Sequence, residues 1–319
     1  MWYLFFLQIW HQIIIAKIRL LFNKKLIILQ VSSMNGEKAY NYFFLKEATV
    51  VTLLSFYFLC LSSCGEFTKL TKSEDAELKY EKAFEYYEKE DYFKSATLLE
   101  SVVPSMRGTS KGEKGLYTLA MARYNNKEYS MARSYFSAYC KGYPSGEYAE
   151  DSRFHIGMCY YKNSPDVKLD QNSTQKAIDE FLLFSQNYPK SDKMPVVVKM
   201  LTEMQEKLAE KEYINAKLYF DLGDYMGNNY LSAVVTASNA LKKFPDTRYK
   251  EDLSFIILES KYMQAVKSVE SKQENRYRDA VDEYYTFVKE FPTSEHRKDA
   301  EKFFKRSQKF LEKYEGGTL

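Results

Sequence analysis

Apolar and polar residues alternate along most of this chain with the period of an α-helix. The stretch 76–89, AELKYEKAFEYYEK, is the first clear case: its aromatic and apolar side chains fall three and four apart and share one face. Downstream the same periodicity is punctuated at regular intervals. An aromatic–proline pair occurs four times, as Tyr143-Pro144, Tyr188-Pro189, Phe244-Pro245 and Phe291-Pro292, with Ser145, Ser191, Thr247 and Ser294 close behind. Twelve residues before each proline stands an alanine (Ala132, Ala177, Ala233, Ala280), and three before each alanine stands Tyr129, Thr174, Tyr230 or Tyr277. Fixed offsets of this kind mark an internal structural repeat.

Each element of the repeat has a physical reason. A small alanine lets two helices approach closely, and a larger residue three positions earlier lies on the same helix face and fills the space beside it. Proline cannot continue a helix, so it closes the second helix of a pair, and the Ser or Thr after it can cap the next helix. The pattern predicts five helix–turn–helix units over 75–108, 111–146, 148–192, 208–247 and 249–294, with a closing helix over 297–314. The first unit is irregular: Phe93 and Ala96 keep the offset, but Pro104 follows the alanine by only eight residues. Loop 162–173 lengthens the third unit, and an extra helix over 195–207 precedes the fourth. The expected fold is all-α, a tetratricopeptide-repeat superhelix in which neighbouring units bury one another's apolar faces.

The first 64 residues follow another pattern. Lys38 and Lys46 precede an apolar run from Ala48 to Leu61, then come Ser62, Ser63 and Cys64. That is the order of a secretory signal, and a run of this length is short for a membrane span of roughly 20 residues. Leu61-Ser62-Ser63-Cys64 resembles a bacterial lipobox, which implies cleavage before Cys64 and lipid on its thiol and amino group; the alternative is an ordinary signal in which Cys64 is incidental. Residues 1–33 are apolar and aromatic, interrupted by Lys17, Arg19, Lys24 and Lys25. They are read as an extension ahead of a true start at Met34, with a membrane helix as the alternative. The expected organisation is extension 1–33, signal peptide 34–63, acylated tether 64–74, repeats and closing helix 75–314, and tail 315–319.

Charge adds one constraint. Six of the 46 Lys/Arg and two of the 43 Asp/Glu lie in 1–64, which leaves 40 against 41 for the remainder. The basic excess therefore belongs to the leader, and the repeats carry no general bias toward nucleic acid. Cys140 and Cys159 fall in predicted helices and are expected to be free thiols, with a disulfide as the minor alternative. Three histidines and no Cys-x-x-Cys give no metal-ligand spacing. No phosphate-binding glycine loop, Gly-x-Ser-x-Gly or His-Glu-x-x-His is present. No catalysis, cofactor, metal or small-molecule substrate is expected. His155 is read as a packing or surface residue, and the carboxylate pairs Glu88/Glu90 and Glu206/Glu210 as solvated helix faces. Tyr86-Tyr87, Tyr160-Tyr161 and Tyr284-Tyr285 are expected mainly to pack the repeats, and they are also the candidate residues for an aromatic peptide-binding groove.

Three further stretches narrow the class: Cys64-Gly65-Glu66-Phe67-Thr68-Lys69-Leu70 after the lipobox, Tyr143-Pro144-Ser145-Gly146-Glu147-Tyr148-Ala149 at the start of the third unit, and LAEKEYINAKLYF (208–220) with Phe244-Pro245-Asp246-Thr247 in the fourth. With five repeats and a long third unit, the chain over 60–314 resembles the BamD family of outer-membrane lipoproteins, most closely the versions from the Bacteroides group. That resemblance implies a periplasmic scaffold anchored through lipid on Cys64. Its partners would be the barrel-forming assembly subunit and unfolded outer-membrane proteins. Some members carry a docking arginine in the fourth repeat where this chain has Thr236, so that contact is not carried over. The alternatives are another repeat lipoprotein, for instance in cell-wall synthesis, and a glycan-binding surface lipoprotein; the absence of an acidic run after Cys64 favours the periplasmic face.

Overall fold

The computed structural model describes residues 65–317, so the leader, Cys64 and the last two residues lie outside it. The chain forms two compact units, Met1–Asp75 and Ala76–Leu319. Of the first, the described part is helical over 65–72, within the expected tether. The second is all-α among its described residues.

Its helices pair as the repeat pattern requires. They are α1 Ala76–Glu88 with α2 Tyr92–Val102, α3 Ser110–Asn125 with α4 Tyr129–Gly142, and α5 Ala149–Lys162 with α6 Asn172–Asn187. Then come α7 Met194–Leu222 with α8 Asn229–Lys243, α9 Lys250–Val266 with α10 Glu270–Glu290, and the closing helix α11 Arg297–Glu315. A 3-10 turn, Val103–Met106, follows α2. Each helix packs on the next, and first helices also meet across repeats, α7 on α9 and α9 on α11.

The repeat alanines lie in the helix contacts: Ala96, Ala132, Ala177 and Ala233 are fully buried and Ala280 nearly so. The core runs through shared helices rather than closing within a repeat. Phe136 and Ile156 join repeats two and three, Phe181 and Val197 join three and four, and Ala237 and Leu253 join four and five. Fully burying each large ring or aliphatic side chain contributes roughly 1.5–3 kcal/mol. Gly157 marks a close approach between helices: a Cβ there would stand 2.6 Å from the fully buried ring of Phe181.

Three expectations need correction. The extra helix predicted over 195–207 is not separate, because α7 runs unbroken for 29 residues. Nothing between Pro195 and Leu222 interrupts it: no proline or glycine occurs, and Val197, Met204, Ala209 and Ala216 bury one face throughout. The residues three before the alanines do not all fill a gap. Tyr230, Tyr277 and Thr174 are buried, whereas Phe93, in the first turn of α2, is 56% exposed. Finally, the Ser/Thr residues after the prolines do not cap the next helix. Its N-terminal flank is Lys193, Tyr249 or His296, none with a side-chain cap bond. Ser191, Thr247 and Ser294 instead accept the N–H two residues on, at 3.1, 3.3 and 3.0 Å, and so shape the linking turn.

The short turns of repeats one and two place Glu90 and Lys127 at φ 60° and 62°, a region costly for residues with a Cβ. Two substitutions should therefore move stability in opposite directions. Gly157→Ala should lower it by about 1–3 kcal/mol through the clash with Phe181. Lys127→Gly should raise it by up to ~1 kcal/mol through relief of the backbone. Thermal unfolding of the full-length variants checks both signs.

Candidate functional site

The joints between repeats carry a recurring polar device. An acidic residue near the start or middle of one first helix accepts hydrogen bonds from the loop that opens the next repeat. Glu113 of α3 accepts from the Tyr139 hydroxyl at 2.5 Å and from the Glu147 N–H at 3.0 Å, and the Tyr148 N–H donates to the Tyr139 oxygen at 3.0 Å. Glu150 of α5 accepts from the Ser191 hydroxyl at 2.6 Å, and Glu206 of α7 from the Thr247 hydroxyl at 3.0 Å. Asp252 of α9 lies 3.3 Å from His296 Nε2. Aromatic rings stack over these joints, Tyr117 on Tyr148 at 4.3 Å and Tyr213 on Tyr249 at 5.0 Å. The expectation that Glu206 and Glu210 form a solvated face is thereby corrected: Glu206 holds the next loop and Glu210 pairs with Arg248 at 3.3 Å. Periodicity could not show this, because an exposed carboxylate and an inter-repeat one sit on the same polar face.

Asp151 centres the densest joint. It accepts from the Tyr117 hydroxyl, and its carboxylate lies 3.1 Å from His155 Nδ1 and 3.2 Å from Lys193 Nζ. Burial works against its charge, but these partners win and hold its carboxyl well below the usual range. Burial, with the bond to Asp151, pushes the Tyr117 phenol the other way. His155 stacks on Phe136 at 5.1 Å, in agreement with a packing role. Cys140 and Cys159 are both free, and burial raises the Cys159 thiol to about 12, so it is inert.

The six candidate tyrosines fall on three repeats. Tyr86 and Tyr87 are half-buried in α1; Lys94 lies over the Tyr86 ring, and Tyr87 packs edge-on to Tyr92. Tyr160 is held between Arg133 and Lys176, and Tyr161 donates to Glu203 at 2.9 Å. Tyr284 is buried against Phe304, whereas Tyr285 is 53% exposed. The first four lie on first helices and the last two on a second helix. Each pair serves the joint of its own repeat, and the structure does not bring the three together.

A cavity lies elsewhere, between repeats one and two. It encloses about 800 Å³ where α2 ends early, over a floor that includes Val103, Leu116 and Leu119, with Tyr135 on one wall. Glu100 also faces it, but its charge is taken up by Arg123 at 2.5 Å and by the Tyr135 hydroxyl. Arg107 and Lys141 line it as well, and neither makes an ion pair among the described residues. An apolar floor with unpaired cations suits an apolar or aromatic side chain next to a carboxylate. The short spacing from Ala96 to Pro104 was the sequence signal for it, since a curtailed second helix leaves its neighbour's flank uncovered. Among the described residues no group of His, Cys, Asp and Glu could hold a metal, and no helix is long and apolar enough to cross a membrane.

Stacked helix pairs with acid-clasped joints and an open cavity define a repeat scaffold, the class of protein that presents surfaces to other chains. The profile of the family described as "YfiO: Outer membrane lipoprotein" matches residues 72–256, from just before α1 into α9, and the chain belongs to that family. A relative from Aquifex aeolicus, named "Putative outer membrane protein assembly factor BamD", is 26% identical over 256 residues, 80% of each chain. Among solved structures, the TPR2AB domain of yeast Sti1 is 13% identical over 73% of this chain and 98% of its own, with a TM-score of 0.34. The apo form of RapI is 16% identical over 87% and 98%, with a TM-score of 0.30. Scores this low add nothing to the helix pairing described above.

The depressed Asp151 carboxyl makes a pH prediction. Its ordinary value is 3.8, and the folded value lies below that. The cluster therefore stabilises the fold above the unfolded value, and the contribution is lost as pH falls through the folded one. Asp151→Asn should lower the melting temperature near neutral pH and flatten the acid limb of the stability profile. Thermal melts from about pH 1 to neutrality measure it; parallel profiles for variant and parent would contradict the assignment.

Proposed function

We propose that this chain is a lipid-anchored scaffold subunit of the machinery that assembles β-barrels in the outer membrane. It is held at the periplasmic face by acyl chains on Cys64, docks on the barrel-forming subunit and receives unfolded barrel proteins. Family membership across 72–256 carries this reading. The lipobox-like Leu61-Ser62-Ser63-Cys64 supports the anchor, since several acyl chains on one residue hold a protein stably where a single chain binds only marginally. The scaffold needs no catalytic group, cofactor or metal: its work is to hold chains in place. The cavity between repeats one and two suits the end of an extended chain, with an apolar or aromatic side chain on the floor and the terminal carboxylate toward Arg107 and Lys141.

Three measurements test this reading. Depletion of the protein should reduce assembled barrels while their synthesis continues, and Cys64→Ala should release the protein from the outer membrane. Full-length protein should bind a synthetic peptide with a free, aromatic C-terminus, and amidation of that terminus or the double substitution Arg107→Ala/Lys141→Ala should weaken binding about tenfold. Normal barrel levels in depleted cells would overturn the function. Equal binding of the amidated peptide would move the chain end out of this cavity.

A further inference from the structure

The closing helix carries a charge pattern that plays no part in the joints or the cavity. Residues 297–315 contain seven cationic and four acidic side chains. The near-neutral balance of the repeats as a whole conceals this local excess. One side of α11 buries Ala300, Phe303 and Ser307, with Phe310 and Leu311 packed beside them. Lys298, Lys302, Lys305, Arg306, Lys309 and Lys313 recur at helical spacing and are all exposed. Given 3.6 residues per turn, the six fall within about 100° of one another, opposite the buried side.

A terminal helix needs a polar outer face, since no further repeat covers it. Mixed signs would serve that need best, because opposite charges three or four residues apart stabilise an exposed helix. On α9 and α10, Lys250, Lys261 and Arg278 each meet a glutamate, at 2.6, 2.6 and 2.9 Å. On α11 the neighbours are instead Lys298 and Lys302, Lys302 and Arg306, Lys305 and Lys309, and Lys309 and Lys313, and like charges at that spacing repel. Lys298, Lys302, Lys305, Arg306 and Lys309 make no ion pair among the described residues. Two of the four carboxylates of the helix are engaged elsewhere, Glu301 with Arg297 at 3.2 Å and Glu315 with Arg278 at 3.0 Å. Asp299 and Glu312 lie only at the edges of the row. The row therefore repels itself in the isolated chain, and a negative surface would relieve it.

Its form indicates which negative surface. From Lys298 to Lys313 the row runs about 22 Å along the helix at 1.5 Å per residue, with no apolar side chain on it. A bound peptide is held by pockets for its side chains as well as by charge. A plane of phosphates is met by charge alone, and rows of Lys and Arg close to a bilayer bind its anionic lipids in this way.

We propose that α11 is a membrane-facing helix whose cationic row rests on the anionic phospholipid headgroups of the bilayer that carries the anchor. The proposal depends on the lipid anchor of the function above, which would keep that bilayer within reach. The row lacks an apolar residue to insert, so the helix adsorbs on the headgroups and the contact is electrostatic. An anchor at the start of the mature chain leaves the repeats free to turn. A second contact at the last helix fixes which side of them faces the membrane and which stays open to other chains.

The test uses the mature, acylated protein purified from membranes and placed in vesicles of phosphatidylcholine alone or in equal parts with phosphatidylglycerol. Lysines are acetylated with a water-soluble reagent and the rate at each is read by mass spectrometry, with exposed Lys127 and Lys242 as references. On the charged vesicles Lys298, Lys302, Lys305 and Lys309 should react about fivefold more slowly than on the neutral ones, while the references react equally. Salt at about 1 M, where the screening length falls to ~3 Å, should abolish the difference. Lys305→Glu/Lys309→Glu should also remove the protection of Lys298 and Lys302, while the melting temperature holds or rises because repulsion along the helix falls. Equal rates on the two kinds of vesicle would overturn the inference, as would protection that persists in the double variant. Protection found only in native outer membranes would assign the row to an acidic protein and overturn it equally. Absence of acyl chains on the purified protein is a separate outcome, which would sink the anchor itself.

Discussion

Two helices can share a buried face only if their axes come close, and every other feature of this fold depends on that closeness. The chain obtains it by withholding side chains at the contact. Alanine at 96, 132, 177, 233 and 280 and glycine at 157 leave room for a neighbour's ring or backbone. Once a pair has closed, its remaining apolar surface faces outward along the chain and must be covered by the next pair. That requirement makes the array cooperative, and it explains why buried clusters straddle the repeat boundaries instead of sitting within repeats.

Apolar covering alone would let one repeat slide or twist against the next, because hydrophobic contact is non-directional. The carboxylates Glu113, Glu150, Glu206 and Asp252 supply the missing direction. Each takes a bond from the loop that begins the following repeat, so the register of neighbours is set by hydrogen bonds of fixed geometry. Tyr117 and Asp151 extend this to a cluster that also engages His155 of α5 and Lys193 just before α7. The array thus combines a forgiving adhesive with a few exact pins, and its open surfaces are left to the places where neither is needed.

The helix pairs were legible in the sequence because the alanine, the aromatic–proline pair and the periodicity act locally and recur. What was not legible shares a cause: it depends on which residue lies across a joint. Glu206 reads as a solvated acid until Thr247 is known to sit 3.0 Å away, 41 residues on. Ser191 reads as a cap until its partners prove to be Lys193 and Glu150. The candidate tyrosines were chosen as adjacent pairs in sequence, yet adjacent residues on a helix point about 100° apart, so the two need not share an environment, as buried Tyr284 and exposed Tyr285 show. The cavity was partly legible, since the early Pro104 announces a short helix, but its cations come from the loop after α2 and from α4 and meet only in three dimensions.

The unbroken α7 has a mechanical consequence. Its 29 residues span about 44 Å at 1.5 Å per residue. It lies against α6 at one end and against α8 and α9 toward the other. A helix of this length bends little, so it acts as a strut between the third and fifth repeats. Elsewhere the backbone turns at the aromatic–proline pairs, as at Pro189 before α7 and at Pro245 before α9. Within α7 no such turn occurs, so the surfaces that meet α6 and α9 are carried on one continuous lever.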